Sequence, residues 1–465
     1  MYFTPGKTGL NNRILHWKIL QDCKRGSIYI NTEIASRDSR AGGMRTLWGI
    51  LEDAHRGCRP SPRGLAPEVS CSEKTMSLDR YLSTMESFDL SNFKTINTII
   101  ERDSKDTTYK YALLRGAVEI SQEYQHLKRV HGDRVEFPLG LLIEKWLLYY
   151  YPFVENNIPQ KPGEEKEGAK QISFRRTFRK VTEYYEGNGK FSGFYRDYTK
   201  GSLSPDIVPA FRSLVREIRT TITRYPMKHL GYSAEGKHYS VFDYDREFEM
   251  PSGKFPADRE YLIRKMGTYS VPKAYDTIFE ILGAFISGED AVLFQWAEFI
   301  RSASNGNVSL AASLEHLRTF PVTDRDKEPA GSFYRGLQRE QGFIHCAWSG
   351  KAIKDKDSPE IDHLLPFSVL RNNDLWNLLP ATKQVNRDKL DKIPLPEFIE
   401  ERRPAIKLYW DLLHEEYPQQ FERELAISLT GPVDFTSDWQ ETGIRKLKEK
   451  CRYFIYVRGY TSWRL

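Results

Sequence analysis

Cysteine is scarce in this chain: five among 465 residues, at Cys23, Cys58, Cys71, Cys346 and Cys451. An odd, scattered set excludes a disulfide-built scaffold and reads as reduced thiols. The closest thing to a thiol metal cluster, "HRGC" at 55–58 with Cys23 and Cys71 nearby, follows no regular zinc spacing and lacks a second paired element. Long apolar runs are missing too. The most apolar stretch, "FPLGLLIEKWLLYYYPF" at 137–153, is broken by Glu144 and Lys145 and is too short to span a bilayer, so no membrane partner is expected. The opening residues, "MYFTPGKTGLNNR", carry no apolar signal region, which makes the cytoplasm the expected location. There is no internal repeat, which argues against a solenoid. Neither sign of charge dominates: 69 Lys and Arg face 63 Asp and Glu, and the net charge of +6 leans only weakly towards a polyanionic partner.

What is present suits a globular protein: 40% hydrophobic and 28% charged residues, on a chain long enough for about two to four domains. Residues 1–80 are rich in Gly, Arg, Ser and Pro and read as an irregular arm with one helix around 12–23. From 81 to 330 the pattern is mostly helical. "SNFKTINTIIERD" and "TYKYALLRGAVEISQEYQHL" space apolar residues three and four apart, and the stretch at 137–153 is apolar nearly all round, as the centre of a bundle requires. "ISFRRTFRKVTEYYEG" and "DIVPAFRSLVREIRTTITRYP" predict two more helices, "HYSVFDYDREFEM" a short strand or hairpin, and "YDTIFEILGAFISGEDAVLFQWAEFIRSAS" a helix pair joined at Ser287–Gly288.

The chemistry is concentrated in "FIHCAWSGKAIKDKDSPEIDHLLPFSVLRNNDLWNLLPATKQVNRDKLDKIP", residues 343–394. Its local pattern is strand, turn, strand, long loop, strand, helix. "EIDHLLP" begins as a strand and stops at Pro366, which has no N–H for a ladder. "WNLLP" is a short strand, and "ATKQVNRDKLD" is a helix that must end before Pro394. Asp362 and His363 alternate across a regular strand and converge only where it breaks. Asn386 and Lys389, three apart, share one side of the helix. Alone, an Asp–His pair is commonly a capped turn or a solvated pair; the joint pattern is what stands out.

That pattern resembles an HNH nuclease module of the ββα-metal class, in the version with D-H-x-x-P, then W-N-L, then N-x-x-K. The HNH domain of the RNA-guided CRISPR effectors belongs to the same broad class. The resemblance covers about 50 of the 465 residues. It implies His363 as the general base that deprotonates the attacking water, Asp362 and Asn386 as metal ligands, and Asn377 as the residue that fixes the loop and orients His363. Oxygen donors suit Mg²⁺ or Mn²⁺. Two departures matter. Asn386 stands where many relatives have His. Cys346-Ala-Trp-Ser349 has one thiol where many have a C-x-x-C pair, so no structural zinc is expected, and flanking helices should brace the module instead.

Arg387, Lys389 and Lys392, following the helix Asn, are candidates for nucleic-acid phosphate contacts. The other basic concentrations, "FRRTFRK" at 174–180 and the series Arg212, Arg216, Arg219, Arg224, admit either a backbone-tracking stripe or a charged exterior face. Phe174, Phe178, Tyr184 and Tyr185 admit base stacking or a core role. His345 and His414 read as structural and helix-surface residues. The helical region is also similar to those accompanying HNH modules in some prokaryotic restriction-like or antiphage-defence proteins. It is expected to serve DNA engagement, partner docking or control of the nuclease.

The expected architecture is α+β: a predominantly helical protein with an HNH module at 331–395 and a helical segment at 396–465 packed on it. The expected function is metal-dependent hydrolysis of DNA, double-stranded by preference, in bacterial defence and with possible protein partners of such a system. RNA, modified DNA, and a non-cleaving binding role are the alternatives.

Overall fold

The computed structural model describes strands at 16–22 and 27–33, scattered helical positions between 92 and 99, and residues 106–465 except 167, 231–240, 252, 288–291, 322–324 and 355. The "HRGC" run with Cys23 and Cys71 lies outside the described residues. The chain divides into two units, Met1–Glu86 and Ser87–Leu465.

In the first unit, β1 (His16–Asp22) pairs antiparallel with β2 (Ser27–Glu33), His16 opposite Glu33 and Asp22 opposite Ser27. The helix expected around 12–23 is therefore a strand. Apolar spacing within one short segment cannot separate the two, and the β-branched and aromatic "SIYINTE" four residues on supplies a strand partner.

The second unit holds two hydrophobic cores. Around the first run α1 (Tyr109–Glu123), β3 (Arg129–His131), β4 (Arg134–Pro138), α2 (Leu139–Glu155), α3 (Arg175–Glu186), α4 (Lys190–Lys200), α5 (Val208–Arg224), β5 (Asp243–Tyr244), α6 (Arg259–Lys265), β6 (Thr268–Pro272), α7 (Lys273–Ser287), α8 (Val292–Ala303) and α9 (Leu310–Arg318). The most apolar stretch of the sequence becomes α2, buried along nearly its whole length. Its two charges are neutralised in place, Glu144 by Arg259 at 2.9 Å and Lys145 by Glu119 at 2.8 Å and Glu123 at 2.6 Å, as buried ions require. Gly140 lets α2 meet α6: a Cβ there would lie 1.9 Å from the Leu262 carbonyl oxygen. An antiparallel sheet of order β3-β4-β6-β5 lies beside the bundle, with Phe137 opposite Tyr269 and their rings 6.0 Å apart.

Around the second core run α10 (Glu328–Gln341), β7 (Phe343–His345), β8 (Ala352–Lys354), β9 (Glu360–His363), β10 (Leu378–Ala381), α11 (Lys383–Lys389), β11 (Ile393–Pro394), α12 (Pro396–Glu416), α13 (Pro418–Leu425), α14 (Trp439–Arg452) and β12 (Ser462–Trp463). This is the order of strands, loop and helix that the sequence implies. The tail braces it. Trp348 stacks on Phe398 at 5.8 Å and meets Trp463 edge-on at 5.4 Å. Trp410 of α12 donates its indole N–H to the Trp376 carbonyl at 2.7 Å, and Gly443 of α14 leaves room for that indole. β11 pairs in parallel with β12.

Candidate active site

β9 and β10 form an antiparallel pair with His363 opposite Leu378 and Asp362 opposite Leu379. The ladder ends beyond His363, where the Leu364 N–H donates to the Asn377 carbonyl at 2.7 Å and Pro366 follows. Thr382 caps α11, its hydroxyl accepting from the Val385 N–H at 3.4 Å, and so aims the helix at β9. Glu360 and Asp362, two apart, share a face of the strand. Asn386 Nδ2 donates to Glu360 Oε2 at 3.5 Å, and one turn later the Lys389 ammonium reaches Asp362.

Asp362 is 3% exposed, with every bond accounted for by named donors. Trp348 Nε1 donates to Oδ2 at 2.7 Å, and Lys389 Nζ lies 3.3 Å from Oδ1 and 3.2 Å from Oδ2. The same ammonium donates to the His363 carbonyl at 2.5 Å, so one cation fixes both residues of the Asp–His pair. This corrects the expected phosphate contact at Lys389. Its side chain is fully buried, because an ionised Asp362 inside the fold needs a counter-charge more than the surface needs another cation. Arg387 is exposed, and the half-buried Lys392 donates to the Asp388 carbonyl at 2.8 Å.

His363 is 4% exposed. Its Nε2 bonds Asn373 Oδ1 at 3.0 Å, and Phe367 packs on the ring at 5.5 Å. With the amide oxygen as acceptor, Nε2 carries the proton and Nδ1 is left as the basic nitrogen. Burial depresses the imidazole to about 4, with Lys327, Lys389 and Arg325 pushing the same way against the Asn373 bond. Asn377 does the loop-fixing half of its expected role: Oδ1 accepts from the Leu365 N–H at 2.7 Å and Nδ2 donates to the Leu365 carbonyl at 3.0 Å. The contact to the His363 ring comes from Asn373 instead. Asn377 still links the two, since its Nδ2 also donates to Asn372 Oδ1 at 3.1 Å.

Three residues here escaped the sequence reading. Glu360 was findable as the i−2 neighbour of Asp362 on a strand. Asn373 belongs to the polar run "RNND" between the strands, whose register no periodicity sets. Trp348 sits in the turn between the first two strands of the module, and no local pattern signals its bond to Asp362.

Among the described residues no group of three or more His, Cys, Asp and Glu is placed to hold a metal ion. The donors at hand are two carboxylates and an amide. They are hard oxygen ligands with lone pairs beyond those taken by Trp348 and Lys389, which fits a divalent ion that keeps much of its water. Asp362 and Asn386 would hold it, with Glu360 beside them.

Within the other basic concentrations Arg175, Arg212, Arg216 and Arg219 serve the fold, while Arg176 and Lys180 are exposed. Arg212 donates to the Phe255 carbonyl at 2.6 Å, Arg216 to that of Gly253 at 2.6 Å, and Arg219 to that of Met266 at 3.1 Å while covering the Phe248 ring at 4.3 Å. Neither a stripe nor an exterior face, these three brace the segment packed on α5; Arg224 alone of the series is exposed. Phe174, Phe178 and Tyr185 are core, and Arg175 is buried against Glu164 at 2.8 Å. His345 is exposed, while its backbone N–H donates to the Tyr409 hydroxyl at 3.1 Å. His414 is partly enclosed, bonded to Glu422 at 2.8 Å and edge-on to Trp439, more than a surface residue.

Comparison with known families agrees with this geometry. Residues 346–395 match the family model described as HNH endonuclease, and this part of the chain is an HNH module. Residues 89–317, the helical region, match a domain of unknown function (DUF8808). No curated protein and no solved structure shows a significant match. The HNH module points to nuclease activity on nucleic acid. Among the described residues no helix is long and apolar enough to cross a membrane.

Proposed function

We propose that the protein is a metal-dependent endonuclease that hydrolyses DNA phosphodiester bonds. The observation that carries this is His363: an imidazole kept neutral by burial, with its Nε2 proton committed to Asn373 and Nδ1 left to accept a proton, one residue from a buried carboxylate. A general base must be unprotonated at working pH and held by a second group, and both conditions are met.

Water attacks the phosphorus as its proton passes to His363 Nδ1. The bond from phosphorus to the 3′ oxygen breaks, leaving a 5′-phosphate and a 3′ oxygen that takes a proton from solvent. Asn373 keeps the ring from rotating, and Asn377 holds the turn after the strand so that the ring stays at the ladder's end. Lys389 balances the Asp362 charge and locks the His363 backbone. A Mg²⁺ or Mn²⁺ ion held by Asp362 and Asn386 would supply Lewis-acid stabilisation of charge on the leaving oxygen. One His base implies one cut per site, so a monomer nicks and double-strand cleavage needs a second copy or a partner.

A role in bacterial defence against foreign DNA is supported by the resemblance of the domain pairing alone. The experiment is a supercoiled-plasmid assay with Mg²⁺, Mn²⁺ or EDTA, comparing the wild type with His363→Ala. Metal-dependent nicking lost in the variant upholds the proposal. Cleavage of RNA alone moves the substrate to RNA. Intact plasmid, single-stranded DNA and RNA under every condition leave a binding protein.

A further inference from the structure

Lys389 is turned inward, so it is not available to a phosphodiester beside His363. Two cations approach from outside the matched HNH region, in the segment between α9 and α10 that neither family match covers. Lys327, half-buried, donates to the carbonyl of Ile361, the residue between Glu360 and Asp362. Arg325 is exposed, its guanidinium 5.9 Å over the ring of Phe367, the ring that packs on His363. The start of the segment is pinned as well: Phe320 lies between Tyr195 of α4, at 6.4 Å, and Arg371 of the loop that carries Asn373, at 5.2 Å.

We infer that Lys327 and Arg325 form the phosphate clamp of the nuclease site, binding the nucleic-acid backbone next to His363. The inference rests on the nuclease reading only in taking nucleic acid as the ligand. The charge count of the metal-free site favours it. Glu360 and Asp362 bring two negative charges, Lys389 offsets one and a phosphodiester adds another. Without an ion the strand meets repulsion that these two cations offset, and they add to the charge a divalent ion would bring. Lys327 has donors beyond the one given to Ile361, and the exposed Arg325 has a planar fork suited to phosphate oxygens.

The test uses the full chain and a fluorescein-labelled 30-base-pair duplex, with affinity measured by anisotropy in EDTA over a range of salt. Lys327→Met and Arg325→Met should each weaken binding roughly 3- to 10-fold and flatten the slope of log K against log salt by about 1. Lys327→Arg should restore both. With metal present, Lys327→Met should also nick at least about 10-fold more slowly at saturating DNA, through misplacement of the scissile bond. Thermal midpoints report folding. Should Lys327→Met prove unstable for want of its Ile361 bond, the exposed Arg325→Met decides. Wild-type affinity and slope in the Met variants overturn the clamp, as does a wild type that binds no duplex. If the wild type nicks and the variants match it, the clamp fails and the nuclease reading stands. If the wild type binds with a salt slope that the variants lose but never cuts, the clamp stands and the nuclease reading fails.

Discussion

His363 is an imidazole whose protonation is set by enclosure. Burial and three nearby cations favour the neutral ring, so it stays unprotonated until the pH falls towards 4, well below the ordinary value near 6.5. Initial nicking rates between pH 4.5 and 8 should therefore stay flat through 6.5 and turn down only near the acid end; a half-maximal point at 6.5 would show an exposed, unperturbed base. His363→Ala should lower the rate by about 10²- to 10⁴-fold, with duplex affinity unchanged. Lys389 makes the opposite prediction. Its ammonium serves Asp362 and the His363 carbonyl from within the fold. Lys389→Met leaves that carboxylate uncompensated and should cost about 3 kcal/mol in urea unfolding. Arg387→Met, on the exposed side of the same helix, should stay within about 0.5 kcal/mol of the wild type.

At the scale of elements, the site is a strand end, a turn and a short helix, and the turn is held by one side chain. Asn377, fully buried, pairs with both backbone groups of Leu365. Asn377→Ala strands a buried N–H and a buried C=O, each worth about 1–3 kcal/mol when unsatisfied. It should lower both stability by urea unfolding and the nicking rate, because the turn it fixes carries the His363 end of the ladder. This clamp shows what a sequence can reveal. The strand end at Pro366, the short strand in "WNLLP" and the helix after it were all legible, since each follows from a local feature: a missing N–H, a short apolar run, a helical stretch that must end before Pro394. So was α2, because nothing so apolar can sit outside a core. The sheet was not. β4 and β6 pair Val135 with Val271 across more than a hundred residues, and neither strand advertises its partner. Nor was the inward turn of Lys389, which depends on Asp362 being buried, a fact of packing and not of spacing. The arginines of α5 were ambiguous for the same reason: their partners are carbonyls of a segment whose path the sequence leaves open.

At the scale of the whole second unit, the loop that carries Asn373 is tied to the tail and to the helical half through buried acids. Asp374, next to Asn373, takes Oδ2 bonds from Ser428 at 2.5 Å and Trp376 at 3.2 Å, while Glu424 accepts from the Leu375 N–H at 2.7 Å and from Gln420 at 2.8 Å. Lys450 reaches from α14 to the Ser428 carbonyl at 2.8 Å and the Glu123 carbonyl at 3.5 Å, and His126 bonds the Ile427 carbonyl at 2.7 Å, so the helical half grips the same turn. Enclosure and the neighbouring Asp374 raise the Glu424 carboxyl to about 8. An acid whose folded value lies above its unfolded value keeps its proton in the native state and loses it when the chain unfolds. Stability from this group is thus full below about 4.5 and is lost as pH rises through 8. His363 and His126, both held low, affect stability only below about 6.5, where the unfolded chain takes up their protons first; Lys450, brought down to about 8, acts chiefly above that. The window from 6.5 to 8 belongs mainly to Glu424. There the wild type should lose up to about 1.4 kcal/mol per pH unit in urea unfolding. Glu424→Gln keeps an acceptor for the Leu375 N–H without a charge to bury, so it should flatten that slope and be the more stable protein at pH 8. Equal slopes in the two proteins would mean that Glu424 is already ionised in the fold.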